Sequence, residues 1–473
     1  MERRAFLQKS MSASAALALS GSRLLGANDT IRLGVIGLNG KGAQHVELFR
    51  QTAGVQVAAL CDPDSAILER EAQKFRDRNE KVGQYRDIRK LLDDKSIDAV
   101  IVATPNHWHC LAGIWACQAG KDAYVEKPLS YCIREGQKLV EAARKYNRIV
   151  QAGTQRRSDE GVMAMDAFLQ KGELGKIIYI HGICYRERES IGKVDGPQPI
   201  PASVDYDLWC GPAPKGLLMR KNLHYDWHWV WPTGNGEIGN NGIHSIDVCR
   251  WLLHQKQLAP RVISLGGRFG YQDDGETPNT QIALLDYKPA PILYEVRGLY
   301  RRSGEKILDN FMGIRMGEII YCEGGYVAGD FAYDRQGKKI RQFGRDEGAN
   351  HHLNFIKAMR SRNFRDLNAE VAECHLSTAL CHMANISFRL GQEAGGSEMV
   401  KSLSSLPAAV EAFESFQEHL MQNGVNVIAT PRLLGPWLEM DPSREQFTGE
   451  WANQANAFLT REYRAPYVVP EKV

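Results

Sequence analysis

The sequence lacks the features that most directly mark membrane-spanning, metal-binding and disulfide-stabilised proteins. After residue 30 it has no run of about 18 or more apolar residues, so we expect no membrane span in the mature chain. Its ten cysteines are scattered singly, without a Cys-x-x-Cys pair or a Cys/His cluster at zinc spacing. We therefore expect no metal site and no disulfide framework. Internal repeats and low-complexity tracts are also missing, and 473 residues are enough for two domains.

The chain also has no excess of charge of one sign once its N-terminal segment is removed. Residues 1–30 place Arg3 and Arg4 before a mild Ala/Leu/Ser stretch that ends near Ala27. This resembles a twin-arginine signal, which predicts recognition by the Tat export machinery and a periplasmic location, the alternative being a basic amphipathic helix. Cleavage after Ala27 would remove four cationic side chains and one acidic one, taking the net charge from +3 to zero. A neutral protein has no electrostatic footprint for nucleic acid, so we expect no nucleic-acid partner.

What the sequence does contain begins with a glycine-rich turn. The apolar run from Ile31 leads into Gly37-x-Asn39-x-x-Gly42, which matches a dinucleotide-binding pattern with its second glycine replaced. Such a turn brings the backbone close to a pyrophosphate at a helix N-terminus. Asn39 tolerates positive φ better than most residues, and Gly40 adds further freedom. We therefore predict that Gly37, Asn39, Gly40 and Gly42 bind a dinucleotide.

An acidic residue at the end of the next strand strengthens this prediction. The strand pattern from Val55 ends at Asp62, twenty residues after Gly42. A carboxylate there hydrogen-bonds the ribose hydroxyls and repels a 2′-phosphate, which favours NAD over NADP. The alternative is an α/β unit that binds no nucleotide.

Strand and helix patterns continue to alternate up to residue 153, which predicts a doubly wound parallel sheet in residues 31–153. Two of the strands end at polar side chains, one at Thr104-Pro105-Asn106 and the other at Glu126-Lys127. Ligands bind at the carboxyl edge of such a sheet, so both strand ends should line one crevice. Pro128 favours an extended backbone at Lys127, although the alternative is a solvated lysine that merely ends a strand. The predicted cofactor-binding residues here are Thr104, Pro105, Asn106, His109, Glu126 and Lys127.

Residues 154–400 have a different pattern. Alternating segments between residues 177 and 322 predict an open, largely antiparallel sheet, and residues 351–361 and 373–390 predict amphipathic helices. The long irregular segment 187–232 is rich in aromatic residues and is typical of a functional region. We interpret Trp227 and Trp229 as sugar-stacking residues, with burial in the core as the alternative. Residues 401–473 are interpreted as a loop-rich C-terminal extension without a chemical signal.

A polar trio follows the aromatic segment. Asn240, His244 and Asp247 are spaced i, i+4 and i+7, which places them on one face of an α-helix. This spacing brings a polar orienting group, a base and a carboxylate together. The alternative is an N-capping asparagine followed by a histidine with a structural hydrogen bond.

Taken together, the glycine turn, Glu126-Lys127-Pro128 and the Gly-x-His-x-x-Asp pattern ending at Asp247 resemble the glucose-fructose oxidoreductase / inositol dehydrogenase family. The resemblance covers roughly residues 30–400. It implies a Rossmann NAD-binding domain, followed by an α/β domain whose open sheet makes homodimers or homotetramers. It also implies that Lys127 bridges the reacting hydroxyl and the nicotinamide ribose, and that His244 is the general acid/base.

The chain departs from the family pattern at Asn240, where a frequent pattern has Asp. Asparagine orients an imidazole but does not stabilise an imidazolium as a carboxylate does, so a proton relay through Asp247 is expected instead. Gln155 and Arg156 resemble a substrate-contacting stretch of some relatives. A tightly held NAD is expected for an exported member.

These observations predict a periplasmic NAD-dependent oxidoreductase acting on a sugar, glycoside or cyclitol. One alternative is a redox-neutral glycosidase or lyase that works through transient oxidation of the sugar. The Glu126-Lys127-Pro128 motif favours net oxidoreduction, because the family's known glycosidases depart from it. Another alternative is a non-catalytic sensor that uses the fold only to bind a sugar or nucleotide.

Overall fold

The computed structural model describes residues 30–473, so the predicted signal segment lies outside the described residues except for residue 30. The first part of the chain forms a six-stranded sheet of order β3-β2-β1-β4-β5-β6, in which every pair of neighbours is parallel. Its elements are β1 (Ile31–Ile36), α1 (Lys41–Arg50), β2 (Val55–Cys61), α2 (Ser65–Arg76), β3 (Gly83–Tyr85), α3 (Ile88–Asp93), β4 (Ala99–Val102), α4 (His109–Gln118), β5 (Asp122–Val125), α5 (Ile133–Lys145) and β6 (Val150–Ala152).

This sheet is covered by helices on both faces. Strands β4 and β5 are buried at every residue, as their continuous apolar sequences predict for a sheet covered on both sides. The strand order reverses beside β1, whose neighbours are β2 on one side and β4 on the other. The crevice at the carboxyl ends of β1 and β4 is therefore the topological switch point of the sheet.

The second sheet has twelve strands and is largely antiparallel, as predicted. Only β7 and β10 pair in parallel, at the centre of the sheet. The strands are β7 (Ile177–Tyr185), β8 (Arg261–Gly267), β9 (Thr280–Leu285), β10 (Ile292–Arg297), β11 (Met316–Cys322), β12 (Gly325–Ala328), β13 (Phe331–Asp334), β14 (Lys339–Gln342), β15 (Gln392–Glu393), β16 (Leu433–Leu434), β17 (Leu438–Asp441) and β18 (Gln446–Thr448).

Helices pack against both faces of this second sheet. On one face, Ile246 and Leu380 belong to helices that share a core with the sheet residues Leu285 and Ile320. On the other face, Phe413 and other C-terminal apolar side chains cover only the part made by β8, β9 and β10. The helices of this region are α6 (Glu160–Gln170), α7 (Tyr206–Cys210), α8 (Ile243–Leu252), α9 (His351–Ser361), α10 (Val371–Arg389), α11 (Gly396–Leu403), α12 (Pro407–Gln422) and α13 (Ala452–Asn456).

The C-terminal residues differ from the loop-rich extension expected from the sequence. They contain α12, a helix of 16 residues that begins with Pro407 at its first turn. Ala409, Phe413, Phe416 and Leu420 are buried on one side of it, at helical spacing. The helix is stabilised mainly by the packing of this apolar face against the sheet, and less by the intrinsic helix propensity of its residues.

The irregular segment of the second domain crosses onto the first. We call residues 198–231 the cover segment. The backbone of Ser203 accepts a hydrogen bond from Ser65 at 2.9 Å, and Asp205 donates to the carbonyl of Pro63 at 3.0 Å. These contacts hold the cover segment against the loop that follows β2.

The last residues of the chain return to the same place. We call residues 457–473 the tail. Arg464 donates to the carboxylate of Asp207 at 2.7 Å, and the hydroxyl of Tyr467 donates to the other carboxylate oxygen at 2.9 Å. Arg461 donates to the carbonyl of His107 at 2.9 Å. The tail therefore fastens the cover segment to the first domain.

Residues 30–473 contain no helix that is long and apolar enough to cross a membrane. In the same residues, no group of three or more His, Cys, Asp or Glu side chains is arranged to hold a metal ion. All ten cysteines are free and buried.

Candidate active site

A cavity of about 310 Å³ lies at the carboxyl edge of the parallel sheet. The glycine turn forms one wall, the ends of β4 and β5 form the floor, and the cover segment closes the opposite side. The lining residues that matter below are Gly37, Asn39, Gly40, Asp62, Thr104, Pro105, Asn106, His109, Glu126, Lys127, Trp209, His224, Tyr225, Trp227, His228 and Asn240.

The glycine turn has the geometry expected for a dinucleotide. A Cβ atom at Gly42 would lie 1.7 Å from the carbonyl oxygen of Gly37, so no side chain fits there. Gly37 (+80°) and Gly40 (+55°) have positive φ, whereas Asn39 does not. The tolerance of asparagine for positive φ is therefore not needed in this turn. The turn leads directly into α1, whose first N–H groups face the cavity edge as an anion site.

Asp62 lies at the end of β2, where its carboxylate organises the glycine turn. One oxygen accepts a hydrogen bond from the backbone N–H of Leu38 at 2.8 Å, and the other accepts from Asp64 at 2.9 Å. Burial raises the pKa of Asp62 to about 6, because it outweighs these two hydrogen bonds. The carboxylate is charged at neutral pH and becomes neutral in mildly acidic solution.

Thr104 supplies a test of whether the cavity suits a polar ligand. Its hydroxyl is buried and has no hydrogen-bond partner within residues 30–473, which is costly unless a ligand provides one. His109 lies behind it, with Nδ1 2.6 Å from the carbonyl of Pro128 and Nε2 2.8 Å from that of Thr104. Asn106 turns towards the second domain and donates to Asn235 at 3.0 Å. Thus Thr104 faces the ligand space, while His109 and Asn106 hold the strand ends in place.

Glu126 is buried beneath the cavity floor. It accepts hydrogen bonds from the ring of His45 at 2.8 Å, from the backbone of Lys127 at 3.1 Å and from Gln155 at 3.3 Å. Burial alone would raise the pKa of this carboxyl, but the hydrogen bond and charge of His45 outweigh it and hold the pKa well below its usual range. Glu126 therefore supplies a fixed negative charge next to Lys127.

The ammonium of Lys127 is partly buried and held by one residue of the second domain. It donates to the backbone carbonyl of Asn240 at 3.0 Å and to the side-chain oxygen of Asn240 at 3.3 Å. Glu237 accepts from the amide of Asn240 at 3.3 Å and so orients it. Burial lowers the pKa of Lys127, and the nearby charges of Glu126 and Glu237 oppose that shift. Two of the three N–H groups are occupied, which leaves one for a ligand.

Asn240 does not lie on one helical face with His244 and Asp247, as the sequence spacing suggested. Residues Ile238–Gly242 form a π-helical turn immediately before α8. A π turn accommodates more residues than an α turn, so it rotates Asn240 away from the position that α-helical spacing predicts. The side chain consequently binds Lys127 instead of the imidazole of His244.

His244 lies in the first turn of α8 and is partly buried. Its Nδ1 atom has no hydrogen-bond partner in the described part of the chain. Burial lowers the pKa of His244 to about 3, and the charge of Lys127 lowers it further in the same direction. The imidazole is therefore neutral at physiological pH and has a lone pair available for a proton.

Asp247 is placed differently from the expected proton relay. Its carboxylate accepts from Arg157 at 2.8 Å through both Nε and Nη2, and from the hydroxyl of Ser377 at 2.6 Å. Burial opposes ionisation, but the charge of Arg157 outweighs it and keeps the pKa of Asp247 below its usual range. With these partners and no bond to His244, Asp247 anchors α8 to the segment that follows β6.

Gln155 and Arg156 are also occupied by protein partners. Gln155 donates to the hydroxyl of Tyr124 at 3.1 Å in addition to its contact with Glu126. Arg156 makes two parallel hydrogen bonds of 2.7 Å to Glu318, beside a second cavity of about 480 Å³. Neither residue lines the cavity that contains Lys127.

The two predicted sugar-stacking tryptophans have different surroundings. Trp227 lines the cavity and stacks on the ring of His228, with 3.6 Å between ring centroids. Trp229 is 3% exposed and lies under the guanidinium of Arg188, so it belongs to the packed interior. The sequence drew attention to this aromatic segment, but it did not single out His228, whose partners come from a turn that only the structure shows.

Comparison with known proteins finds a match to a family model in each of the two domains. Residues 31–154 match the model described as oxidoreductase family, NAD-binding Rossmann fold, and residues 185–280 match its C-terminal α/β domain. Inositol 2-dehydrogenase of Salmonella paratyphi B is 29% identical over 182 residues, which are 38% of this chain and 53% of that protein. Glycosyl hydrolase family 109 protein 1 of a Shewanella species (strain MR-4) is 31% identical over 171 residues, 34% of this chain and 37% of that protein. The chain thus spans about half or less of the curated relatives it matches.

Solved structures share the fold over most of the chain. The WlbA dehydrogenase of Bordetella pertussis, solved with NADH and UDP-GlcNAcA, has a TM-score of 0.56 at 16% identity, and the match covers 75% of this chain and 96% of that one. An oxidoreductase of Agrobacterium radiobacter, solved with NAD+, L-tartaric acid and magnesium, has a TM-score of 0.55 at 15% identity and covers 75% of this chain and 96% of its own. At such identities the likeness establishes the two-domain fold.

The buried pair of Arg157 and Asp247 leads to a prediction about stability. Arg157→Met leaves the buried Asp247 with only Ser377 as a hydrogen-bond partner, so we expect the free energy of unfolding in urea to fall by about 3–5 kcal/mol at pH 7. The stabilisation is present above the ordinary aspartate pKa of about 4 and is lost as pH falls through the lowered folded-state pKa. Arg444→Met, at an exposed position, is the control and should change the free energy by less than about 0.5 kcal/mol. Equal effects of the two substitutions would contradict the anchoring role of Asp247.

Proposed function

Starting from two domains that match the NAD-binding and C-terminal models of one oxidoreductase family, we propose that this protein is a nicotinamide-dependent oxidoreductase. Its substrate is a sugar, glycoside or cyclitol that reacts at a CH–OH group. The observation that carries the proposal is Lys127, which lines the cavity beside the glycine turn with one N–H group left free. The neutral imidazole of His244 is near enough for the charge of Lys127 to add to the effect of burial on its pKa.

The two side chains divide the proton chemistry between them. His244 takes the hydroxyl proton of the substrate, because a neutral imidazole can act as a general base. Lys127 donates its remaining N–H group to the same oxygen and stabilises the negative charge that develops there. Asn240 holds the ammonium so that this N–H group points into the cavity. The bound nicotinamide supplies the acceptor for the hydride that leaves the carbon.

We propose NAD rather than NADP as the cofactor. Gly37, Gly40 and the N-terminus of α1 would hold the pyrophosphate, Thr104 offers its unpartnered hydroxyl, and Asp62 would bind the adenosine ribose. At neutral pH the ionised Asp62 lies where a 2′-phosphate would have to approach. Its charge therefore disfavours NADP.

We also propose that the cofactor is held tightly. The cover segment supplies Trp209, His224 and Tyr225 to the cavity wall, opposite the glycine turn. His224 reaches the first domain directly, with Nε2 3.0 Å from the carboxylate of Asp64. Because the tail fastens the other part of the cover segment through Asp207, release of a dinucleotide requires several contacts to open together.

A redox-neutral glycosidase remains the second candidate. The observation that favours it is the 31% identity over 171 residues to a protein named for glycosyl hydrolase family 109. A bound nicotinamide would take a hydride from the sugar and later return it, while the same lysine and histidine would handle the hydroxyl proton. Release of an aglycone without net formation of reduced nicotinamide separates this candidate from the first.

Export and assembly are further parts of the proposal. Arg3 and Arg4 support twin-arginine export to the periplasm. Oligomerisation, as a homodimer or homotetramer, is supported by a row of partly exposed tyrosines on β7, β11, β12 and β13, which the C-terminal helices leave uncovered. Fractionation of cells that express the full chain, and the mass of the purified protein in solution, test these two points.

The central test is absorbance of reduced nicotinamide when the protein meets NAD and a panel of sugars, cyclitols and glycosides. We expect a rise with one substrate class. Lys127→Ala and His244→Ala should each lower the turnover by about 10²–10⁴-fold, while the dissociation constant of NAD changes by less than about threefold. The exposed residues Lys256 and His254 give matched controls, Lys256→Ala and His254→Ala. Full activity in both active-site variants would contradict the assignment.

The raised pKa of Asp62 predicts a pH-dependent choice of cofactor. Above about pH 7 the carboxylate is charged, and we expect NAD to bind about tenfold or more tightly than NADP. As pH falls through about 6, Asp62 gains a proton and this preference should shrink. Asp62→Asn should show only a small preference for NAD over NADP at both pH values. A preference that still changed with pH in this variant would come from titration of the 2′-phosphate of NADP. Binding is followed by the fluorescence of the reduced cofactors.

The tail contacts predict a change in the rate of cofactor release. Arg464→Ala combined with Tyr467→Phe removes the hydrogen bonds to Asp207, each worth about 1 kcal/mol. We expect NADH to dissociate about 3- to 10-fold faster in a chase with excess NAD. Arg444→Ala, an exposed substitution in the same C-terminal region, serves as the control. An unchanged rate in the double variant would show that the tail does not retain the cofactor.

A further inference from the structure

The backbone of the cover segment is strained next to the cavity. Tyr225 has φ 68° and ψ −51°, and the N–H of Asp226 donates to the carbonyl of His224 at 2.9 Å. These values describe a γ-turn of the rare form that bulky residues seldom adopt. Such strain persists only where the surrounding structure enforces it, and it is concentrated at functional sites.

The γ-turn directs the carbonyl of Tyr225 at the ring of His228. Nδ1 of His228 lies 2.5 Å from that oxygen. A carbonyl only accepts, so Nδ1 carries the proton and Nε2 carries the lone pair. The stacked ring of Trp227 fixes the plane of the imidazole. The strained turn therefore sets one tautomer of His228.

The lone pair of His228 is available in the cavity. His228 lines the same space as Lys127 and Asn240. Nε2 makes no hydrogen bond with any residue in the part of the chain that the structure describes. Burial lowers the pKa of His228 to about 3, the carbonyl of Tyr225 opposes that shift, and the charge of Lys127 adds to it. The ring thus presents a permanent hydrogen-bond acceptor across the physiological pH range.

We propose that Nε2 of His228 accepts a hydrogen bond from a second hydroxyl of the substrate, on a carbon adjacent to the one oxidised between Lys127 and His244. This inference rests on the proposed function and narrows its substrate class to vicinal diols. A sugar or cyclitol whose neighbouring position is deoxygenated or O-methylated leaves this acceptor in the cavity without a donor. His228 is accordingly a specificity-determining residue.

A role as a second catalytic base is less consistent with the site. Oxidation of a hydroxyl releases one proton, and His244 is already placed to take it. Burial and the charge of Lys127 lower the pKa of both histidines, so basicity does not favour His228 over His244. Accepting a hydrogen bond needs only the lone pair that the γ-turn exposes.

The test compares the best substrate of the panel with its monodeoxy and mono-O-methyl derivatives. For the wild-type protein, modification of one hydroxyl next to the reacting carbon should lower kcat/KM by about 10- to 100-fold, mainly through KM. His228→Ala should lower kcat/KM on the parent sugar by a similar factor. On that derivative, the kcat/KM of His228→Ala should equal that of the wild-type protein. His228→Gln keeps an acceptor oxygen at similar reach and should restore part of the loss. His254→Ala, at an exposed histidine outside the cavity, is the control.

The result that overturns the proposal is a wild-type protein that processes every neighbouring derivative as well as the parent. The proposal would also be overturned if His228→Ala lowered kcat/KM by the same factor on the parent sugar and on the derivative. If no substrate in the panel gives hydride transfer, the proposed function itself fails, so the two failures are distinguishable.

A measurement without substrate tests the state of His228 directly. Among histidines, diethylpyrocarbonate acylates only those whose imidazole is neutral, and ordinary exposed histidines are largely protonated at about pH 5. Mass-spectrometric mapping should therefore find His228 modified at that pH. His109, buried with both ring nitrogens at carbonyl oxygens, should remain unmodified. An unreactive His228 would show that Nε2 is not a free acceptor and would overturn the proposal even if no substrate were found.

Discussion

The site depends on one partly buried ammonium that joins the two domains. Lys127 follows β5 of the parallel sheet, and both of its hydrogen bonds go to Asn240 of the second domain. Removing a lysine from water is costly, and here the cost is offset by two carbonyl acceptors and by the charges of Glu126 and Glu237. Because these partners come from distant parts of the chain, the domains must be positioned relative to each other before the site exists.

The cover segment and the tail keep the cavity around Lys127 closed. The cover segment leaves the second sheet, reaches the loop after β2 and carries His224 and His228 over the cavity. The tail then holds that segment through Asp207. A low-dielectric site strengthens every electrostatic contact within it, which explains why both active-site imidazoles stay neutral beside the ammonium.

The fold and a large part of the site were predictable because their signals are local. Buried strands, the glycine turn and the acid at the end of β2 each have a sequence signature that does not depend on distant residues. Predictions that assumed regular α-helical spacing were less successful. The π turn at Ile238–Gly242 moved Asn240 from His244 to Lys127, and Asp247 found Arg157 instead of the imidazole. Trp229 was placed in the core by its contact with Arg188, which no local pattern contains.

The sequence by itself determined the doubly wound first sheet, the largely antiparallel second sheet, and the crevice at which Gly37, Asp62 and Lys127 meet. Periodicity and turn residues encode these features, because backbone geometry alone links strand ends to one edge of a sheet. Only the tertiary structure decided which way the polar side chains point, how the cover segment and the tail close the cavity, and that His228 lines the same cavity as Lys127. Those outcomes depend on pairings between residues far apart in the chain, and on a strained turn at Tyr225 that packing enforces against local preference.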